Sequence, residues 1–326
     1  MYTNTNGVPL SLALWLATDE YDHDERSNVI SVTTLLKPTK QIVLASRVPP
    51  SDAVSDVSTL VPSRMGTAIH NGLESAWLNN YQQGLADLGY PPGMIKRIRI
   101  NPTDEELNDE IIPIYMELRT EKAVGDFIIS GKFDFIAEGR VRDFKSTGTY
   151  TYTHNTNDAK YIMQGSLYRW LNPEKITDDV MAIDYIFTDW SKLKSKTEAG
   201  YPPMRVMEAK FKLKPVAEID SFVKTKINDI IRCQHLEEEY MEPCSSEDLW
   251  RDKPVFKYYK NPAKLSGRST KNYTDRGEAQ ARLANDGFVG TVVENRGKVK
   301  ACLYCNAASV CKQKDTYIQD GSLVMG

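Results

Sequence analysis

Asp134, Asp143 and Lys145 fall in one short stretch, GKFDFIAEGRVRDFKSTG, from Gly131 to Gly148. Apolar and polar residues alternate up to Glu138-Gly139 and again after it, the pattern of a β-hairpin. Glycine tolerates positive φ, so Glu138-Gly139 suits a two-residue primed turn. Counting outward then pairs Ala137 with Arg140, Ile136 with Val141, Phe135 with Arg142 and Asp134 with Asp143. Lys145, two residues beyond Asp143, shares that face. Like charges directly opposed across a hairpin are destabilising. A divalent cation is the simplest compensation, and hard carboxylate ligands suit Mg²⁺ or Mn²⁺. A lysine beside such a cation can position a water or steady a phosphate in its transition state. A solvated hairpin face with an Asp–Lys ion pair would carry the same residues, so the rest of the chain has to decide.

Two other stretches bear on that choice. In SRMGTAIHNGLESAWLN (63–79), Met65, Ile69, Leu73 and Ala76 or Trp77 mark the apolar face of a helix. His70 lies just off this stripe, with Glu74 at i+4 on the same side. A helix histidine is commonly a structural residue at the edge of a core; here its imidazole would complete a two-carboxylate site. In AKYIMQGSLYRWL, Gln164 and Tyr168 stand one helical turn apart, directly after the hairpin. An amphipathic helix with a polar flank would look the same. Glu117, on the strand before the hairpin, is a weaker candidate, with an exposed strand glutamate the favoured reading.

A third constellation lies near the C-terminus. CLYCNAASVC places Cys302, Cys305 and Cys311 at x2 and x5 spacing. A four-thiolate site needs one more ligand, and Cys244 in EPCSSEDLW is the candidate. Cys233, in a long amphipathic helix, reads as a small buried hydrophobe. Free thiols crowded by chance are the alternative, but a metal site accounts for the spacing better.

The elements that must position these groups can be read coarsely. Ile30–Ser46 reads as a capped helix broken at Pro38 and resumed. Ile114–Arg119 and Phe127–Ser130 read as strands leading into the hairpin, and Asp158–Leu171 as a helix. Met181–Trp190 and Met204–Leu213 read as strands joined by a Lys-rich turn, and Pro215–Tyr240 as a long helix. After Glu242 come a basic loop (KNPAKLSGRSTKNYTDR), a short helix, a strand at Phe288–Glu294 and the cysteines. A soft boundary near residue 242 divides 1–241 from 242–326.

The chain has 326 residues, 41 Lys+Arg against 44 Asp+Glu, and a net charge of −3, so overall charge gives no support for nucleic-acid binding. Any such binding needs a local basic surface. No apolar run approaches the roughly 20 residues of a membrane helix. The N-terminal MYTNTNGVPLSLALWLATDEYDHDE lacks a basic leader and does not read as a signal peptide. Five cysteines without one argue against a disulfide framework. The expected compartment is the cytoplasm, and no membrane partner is expected.

The order helix-His, G-x-x-D, D-x-K, Q-x-x-x-Y resembles the RecB-like exonuclease branch of the PD-(D/E)xK nuclease superfamily. The match rests on His70 within GTAIHNGLESAW, Asp134 within GKFD, Asp143 and Lys145 within DFK, and Gln164 and Tyr168 within QGSLY. It covers roughly residues 28–190, and ISVTTLLKPTKQIVLASR looks like the helical lead-in of phage-encoded relatives.

The resemblance implies an α/β fold: a restriction-endonuclease-like core of a mixed β-sheet flanked by helices, followed by a small C-terminal cysteine-cluster segment. It implies a Mg²⁺- or Mn²⁺-dependent DNA nuclease, an exonuclease acting at DNA ends in recombination, repair or phage DNA metabolism, in a bacterial or phage-infected cell. A recombinase or single-strand-binding protein would be the further partner. By carry-over His70, Asp134 and Asp143 hold the cation with the Phe144 backbone carbonyl, Lys145 orients the water, and Gln164 and Tyr168 contact DNA. A non-catalytic DNA-end-binding protein on the same fold is the alternative, which intact Asp134, Asp143 and Lys145 disfavour.

The x2, x5 cysteines also look like those of iron–sulfur nucleases related to RecB. Those families place a first cysteine before the core, where this chain reads LLKPTKQIV. With Cys244 as the fourth ligand, an iron–sulfur cluster and tetrahedral Zn²⁺ both stay open, in a structural role.

Overall fold

In a computed structural model the chain is a mixed α/β protein, described for residues 2–325 apart from 20–23, 25 and 53. The acidic residues that follow the first apolar patch lie largely outside the described residues. Two compact units form: residues 1–36 with 54–228, and residues 37–53 with 229–326. No helix is long and apolar enough to cross a membrane among the described residues.

Among the described residues fourteen strands run in chain order. They are β1 (Tyr2–Thr3), β2 (Val29–Ser31), β3 (Ser55–Asp56), β4 (Ile98–Ile100), β5 (Ile112–Met116), β6 (Arg119–Val124), β7 (Phe127–Lys132), β8 (Phe135–Ala137), β9 (Arg140–Thr147), β10 (Val180–Phe187), β11 (Val206–Lys212), β12 (Val255–Tyr259), β13 (Lys271–Tyr273) and β14 (Thr291–Asn295). In the first unit the main sheet has six strands in the order β11-β10-β9-β8-β5-β4. It is mixed: β9 runs parallel to β10 and β4 to β5, while the other neighbours are antiparallel. A second sheet, β2-β7-β6, continues the same chain segment, and β1 pairs with β3.

The β8–β9 hairpin has the register its alternation implies: Phe135 faces Arg142, Ile136 faces Val141 and Ala137 faces Arg140. Glu138 (φ 52°) and Gly139 (φ 74°) both take positive φ, as a primed two-residue turn demands. Ile136 and Val141 point into the core at 1% and 0% exposure. A one-residue slip would turn both outward, so burial pins the register.

The helix Val61–Asp87 is longer than its apolar pattern suggested. Met65 is exposed, and the side chains that pack on the sheet are Trp77, Tyr81 and Leu85, against Ile98, Ile114, Met116 and Phe135. Trp77 and Phe135 meet with ring centroids 5.0 Å apart. Truncating Phe135 to alanine would cost about 3–5 kcal/mol.

The helix Asp158–Leu171 buries seven residues, among them Gln164, Tyr168 and Trp170. Gly165 permits this approach to β10, because a methyl there would collide with the Met181 sulfur.

The strand expected over Ile114–Arg119 breaks in two, and Glu117 lies at the break with φ 53°. The long helix ends at Gln234 rather than Tyr240.

In the second unit β12, β13 and β14 form an antiparallel sheet in the order β13-β12-β14. The helix Arg276–Asn285 follows β13 and buries Ala279. A separate small core gathers Leu249, Val299, Cys302 and Leu323, with Cys244 and Tyr317 against it.

Candidate metal centre

The helix Val61–Asp87 carries His70, and the β5–β6 break carries Glu117. Asp134 immediately precedes β8, while Asp143 and Lys145 lie on β9. His70, Glu117 and Asp134 each offer a ligand atom within 4.8 Å of the other two. His70 Nδ1 is 3.5 Å from Asp134 Oδ1 and 3.8 Å from Glu117 Oε1. The other ring nitrogen, Nε2, is 3.2 Å from the Phe144 carbonyl oxygen. With Nε2 turned to that carbonyl, Nδ1 faces both carboxylates, the side from which it could join them on a cation. The Phe144 carbonyl, expected as a ligand, here serves the imidazole.

Glu117 is the residue that sequence reasoning ranked too low. It is not the exposed strand residue expected, but has a side chain only 14% exposed. Its left-handed backbone lets its N–H donate to the Asp134 carbonyl at 3.2 Å, tying the two residues together. A non-glycine residue held at positive φ costs of order 1–3 kcal/mol, and such strain clusters at functional sites. Nothing in the local pattern marked it, because β5 and β6 read as one strand. Lys132 Nζ pairs with Glu117 Oε2 at 2.6 Å.

Asp143 takes a different position from the one expected. Its carboxylate, 1% exposed, lies outside the His70–Glu117–Asp134 trio. Gln164 Nε2 donates to its Oδ1 at 3.0 Å. Its Oδ2 forms an ion pair with Lys145 Nζ at 2.5 Å.

Gln164 and Tyr168, expected to touch DNA, are 5% and 4% exposed. Their side chains turn toward Asp143, with Gln164 Nε2 also donating to the Tyr168 hydroxyl at 3.0 Å. Burial leaves them little surface for a substrate and makes them supports for the carboxylate.

The electrostatics follow from burial and crowding. Burial, and then the Asp143 charge, push the Asp134 carboxyl up to about 7, although the Phe144 N–H donates to it at 2.7 Å. Burial would lower His70, but the hydrogen bond to Glu117 and the charges of Asp134 and Glu117 outweigh it and raise the imidazole. Burial would raise Glu117; hydrogen bonds from His70 and Lys132 outweigh that and lower it. Lys145 is raised because Asp143 and Asp134 overcome its desolvation.

The second unit has its own cluster. Cys244, Cys302, Cys305 and Cys311 line one cavity of about 30 Å³, together with Lys40 and Leu44 from the segment preceding the core. Cys233 is buried elsewhere, in the long helix. Lys40 Nζ pairs with Glu238 Oε1 at 3.0 Å, both side chains 7% exposed. Glu238 also accepts from the Lys312 and Gln313 backbone N–H groups, at 2.7 and 3.1 Å, just after Cys311. Burial, then the charges of Asp248 and the neighbouring thiols, hold Cys244 up at about 12. Burial, then Cys311 and Cys305, hold Cys302 at about 11. Among the described residues no three of these sulfurs lie within 4.8 Å of one another.

No protein-family model matches the sequence, and no curated protein matches it. Among solved structures the chain is similar to the crystal structure of SSO0001, at 17% identity over 69% of this chain and 90% of that one, with a TM-score of 0.40. It is also similar to a phage-related exonuclease from Haemophilus somnus 129PT, at 16% identity over 36% of this chain and 59% of that one, with a TM-score of 0.25.

Proposed function

We propose that the first unit is a RecB-like PD-(D/E)xK deoxyribonuclease, dependent on Mg²⁺ or Mn²⁺ and acting at DNA ends in recombination, repair or phage DNA metabolism. The observation that carries this reading is the gathering of His70, Glu117 and Asp134 within 4.8 Å of one another, beside the Asp143–Lys145 pair. Oxygen-rich donors with one imidazole suit a hard divalent cation.

When bound, the cation would stabilise charge on the phosphoryl oxygens and lower the pKa of a water. His70 Nδ1, Glu117 and Asp134 would hold it, with the Asp143 carboxylate, paired with Lys145, beside them. The Nε2–H bond to Phe144 fixes the imidazole plane. Lys145 orients the attacking water toward phosphorus and offsets negative charge there. The water oxygen bonds to phosphorus as the P–O bond to the departing oxygen breaks; the water gives up a proton to solvent, and the departing oxygen takes one from solvent. Gln164, backed by Tyr168, keeps Asp143 and so Lys145 in place.

For the cysteines we propose a structural metal site, an iron–sulfur cluster or tetrahedral Zn²⁺, held by Cys244, Cys302, Cys305 and Cys311, which line one cavity. Binding would contribute to folding of the second unit.

The test of the nuclease reading is a cleavage assay on end-labelled linear and circular DNA with and without Mn²⁺. Mn²⁺-dependent release of nucleotides from the linear substrate is expected. DNA bound at its ends without cleavage would instead favour a non-catalytic end-binding protein.

A further inference from the structure

The basic loop that follows the long helix has no part in the metal centre. It is built as a hairpin. β12 and β13 pair with Phe256 opposite Tyr273, Lys257 opposite Asn272 and Tyr258 opposite Lys271. The connector between them, residues 260–270, is ordered by its own bonds. The Lys260 N–H donates to Thr270 Oγ1 at 3.0 Å, and the Thr270 N–H donates to the Tyr258 carbonyl at 2.8 Å. Asn261 caps the short turn Pro262–Lys264 by accepting from the Ala263 N–H. Tyr258, fully buried, donates its hydroxyl to Asp286 at 2.6 Å and fastens β12 to the end of the helix Arg276–Asn285.

Charge on this scaffold is one-sided. Residues 253–276 contain seven lysines and arginines and one acid, Asp275, in a chain whose net charge is −3. Asp275 is engaged as the helix cap, accepting from the Glu278 N–H. The neighbouring cations Arg251, Arg282 and Lys300 each pair with a carboxylate. Lys260, Lys264, Arg268 and Lys271 are exposed, and among the described residues none pairs with one. Holding so many like charges together costs self-repulsion that a polyanion would relieve.

We propose that this hairpin binds the phosphate backbone of nucleic acid, through Lys260, Lys264, Arg268 and Lys271. The composition between the cations points to phosphate rather than to a bilayer. Asn261, Ser266, Ser269, Thr270 and Asn272 are short donors of the kind that position a protein on a backbone. Leu265 is the connector's one large apolar side chain, far short of the apolar face that interfacial membrane binding uses. The choice of nucleic acid as the polyanion rests on the nuclease reading. The hairpin would give that nuclease a second, sequence-independent hold on its substrate.

The experiment measures binding of the full chain to fluorescein-labelled single- and double-stranded oligonucleotides across a salt series. Both proteins compared carry Lys145→Ala, so that the probe stays intact. Against that background, Lys260→Ala/Lys264→Ala/Arg268→Ala/Lys271→Ala should weaken binding to every sequence. Its slope of log K against log salt should be shallower by about 3. Unchanged thermal unfolding would show that the hairpin still folds, and a Lys264→Glu/Arg268→Glu variant should weaken binding further. Equal affinity and slope in the parent and the variant overturn the proposal, and so does binding only to phosphatidylserine vesicles. The two readings separate cleanly. Salt-dependent, hairpin-dependent binding, with no cleavage by the protein that retains Lys145, sinks the nuclease reading and leaves this one standing. Full cleavage with an unaltered salt slope does the reverse.

Discussion

Gln164 donates its side-chain amide to Asp143 Oδ1 at 3.0 Å, from a helix position that is almost fully buried. Asp143 in turn stands against Lys145. One helix residue therefore sets the aim of the lysine through an intervening carboxylate. Gln164→Ala should slow cleavage about 10–100-fold with KM for DNA little changed. It should also cost about 1–3 kcal/mol in urea unfolding, because Asp143 loses a buried donor. A rise in KM with kcat intact would return Gln164 to the role of a DNA contact.

Lys145→Ala should lower the cleavage rate about 10²–10⁴-fold. Mn²⁺ binding, followed by calorimetry, should survive, because the lysine is no ligand. Wild-type cleavage by this variant would remove Lys145 from the mechanism.

Glu117→Gln keeps the shape of the side chain and removes its charge. Mn²⁺ affinity should fall about tenfold or more, and Lys132, now without its partner, should not restore it. Mn²⁺ affinity equal to that of the parent would show that Glu117 serves only to hold Lys132 and the β5–β6 break.

Asp134 makes the cation-free protein pH-sensitive. Burial and the Asp143 charge raise its folded pKa from 3.8 to about 7. Between those values the folded state keeps a proton that the unfolded chain has released. The contribution of this group to stability is therefore present at low pH and lost as pH rises through roughly 4 to 7, by about 4 kcal/mol. Apparent Mn²⁺ affinity should climb over the same window, as the cation displaces that proton, and level off above it. Asp134→Asn should flatten the stability profile and abolish Mn²⁺ binding together. Denaturant unfolding across pH, without and with Mn²⁺, measures both effects; an unaltered pH slope in the variant would contradict the assignment.

Cys302→Ser should release the metal of the second unit and lower its unfolding temperature, since binding is coupled to folding. Brown, iron-containing parent protein would identify the site as an iron–sulfur cluster and colourless protein with one zinc as a zinc site, while metal-free protein of unchanged stability would remove both.

Local rules made much of this protein legible before its tertiary structure. The period-2 alternation around Glu138-Gly139 determined the hairpin and its register, because burial of Ile136 and Val141 allows only one pairing. The helical period around Gln164 determined the helix Asp158–Leu171 to the residue. The x2, x5 cysteine spacing marked the C-terminal cluster, because ligands on one short knuckle must be close in sequence. These signals are local, and so they survive in a linear string.

Contacts between distant segments were decided only by the fold. Glu117 enters the site because a positive-φ break, invisible in the strand pattern, turns it toward His70, 47 positions away along the chain. Gln164 and Tyr168 turn inward to Asp143 because that part of their helix is buried, which its polar residues concealed. Lys40 lines the cysteine cavity and forms a buried pair with Glu238, 198 positions away along the chain. Sequence spacing reports which side chains share a face of one element. Which elements face each other depends on how the cores close, and that information is spread over residues with no chemistry of their own.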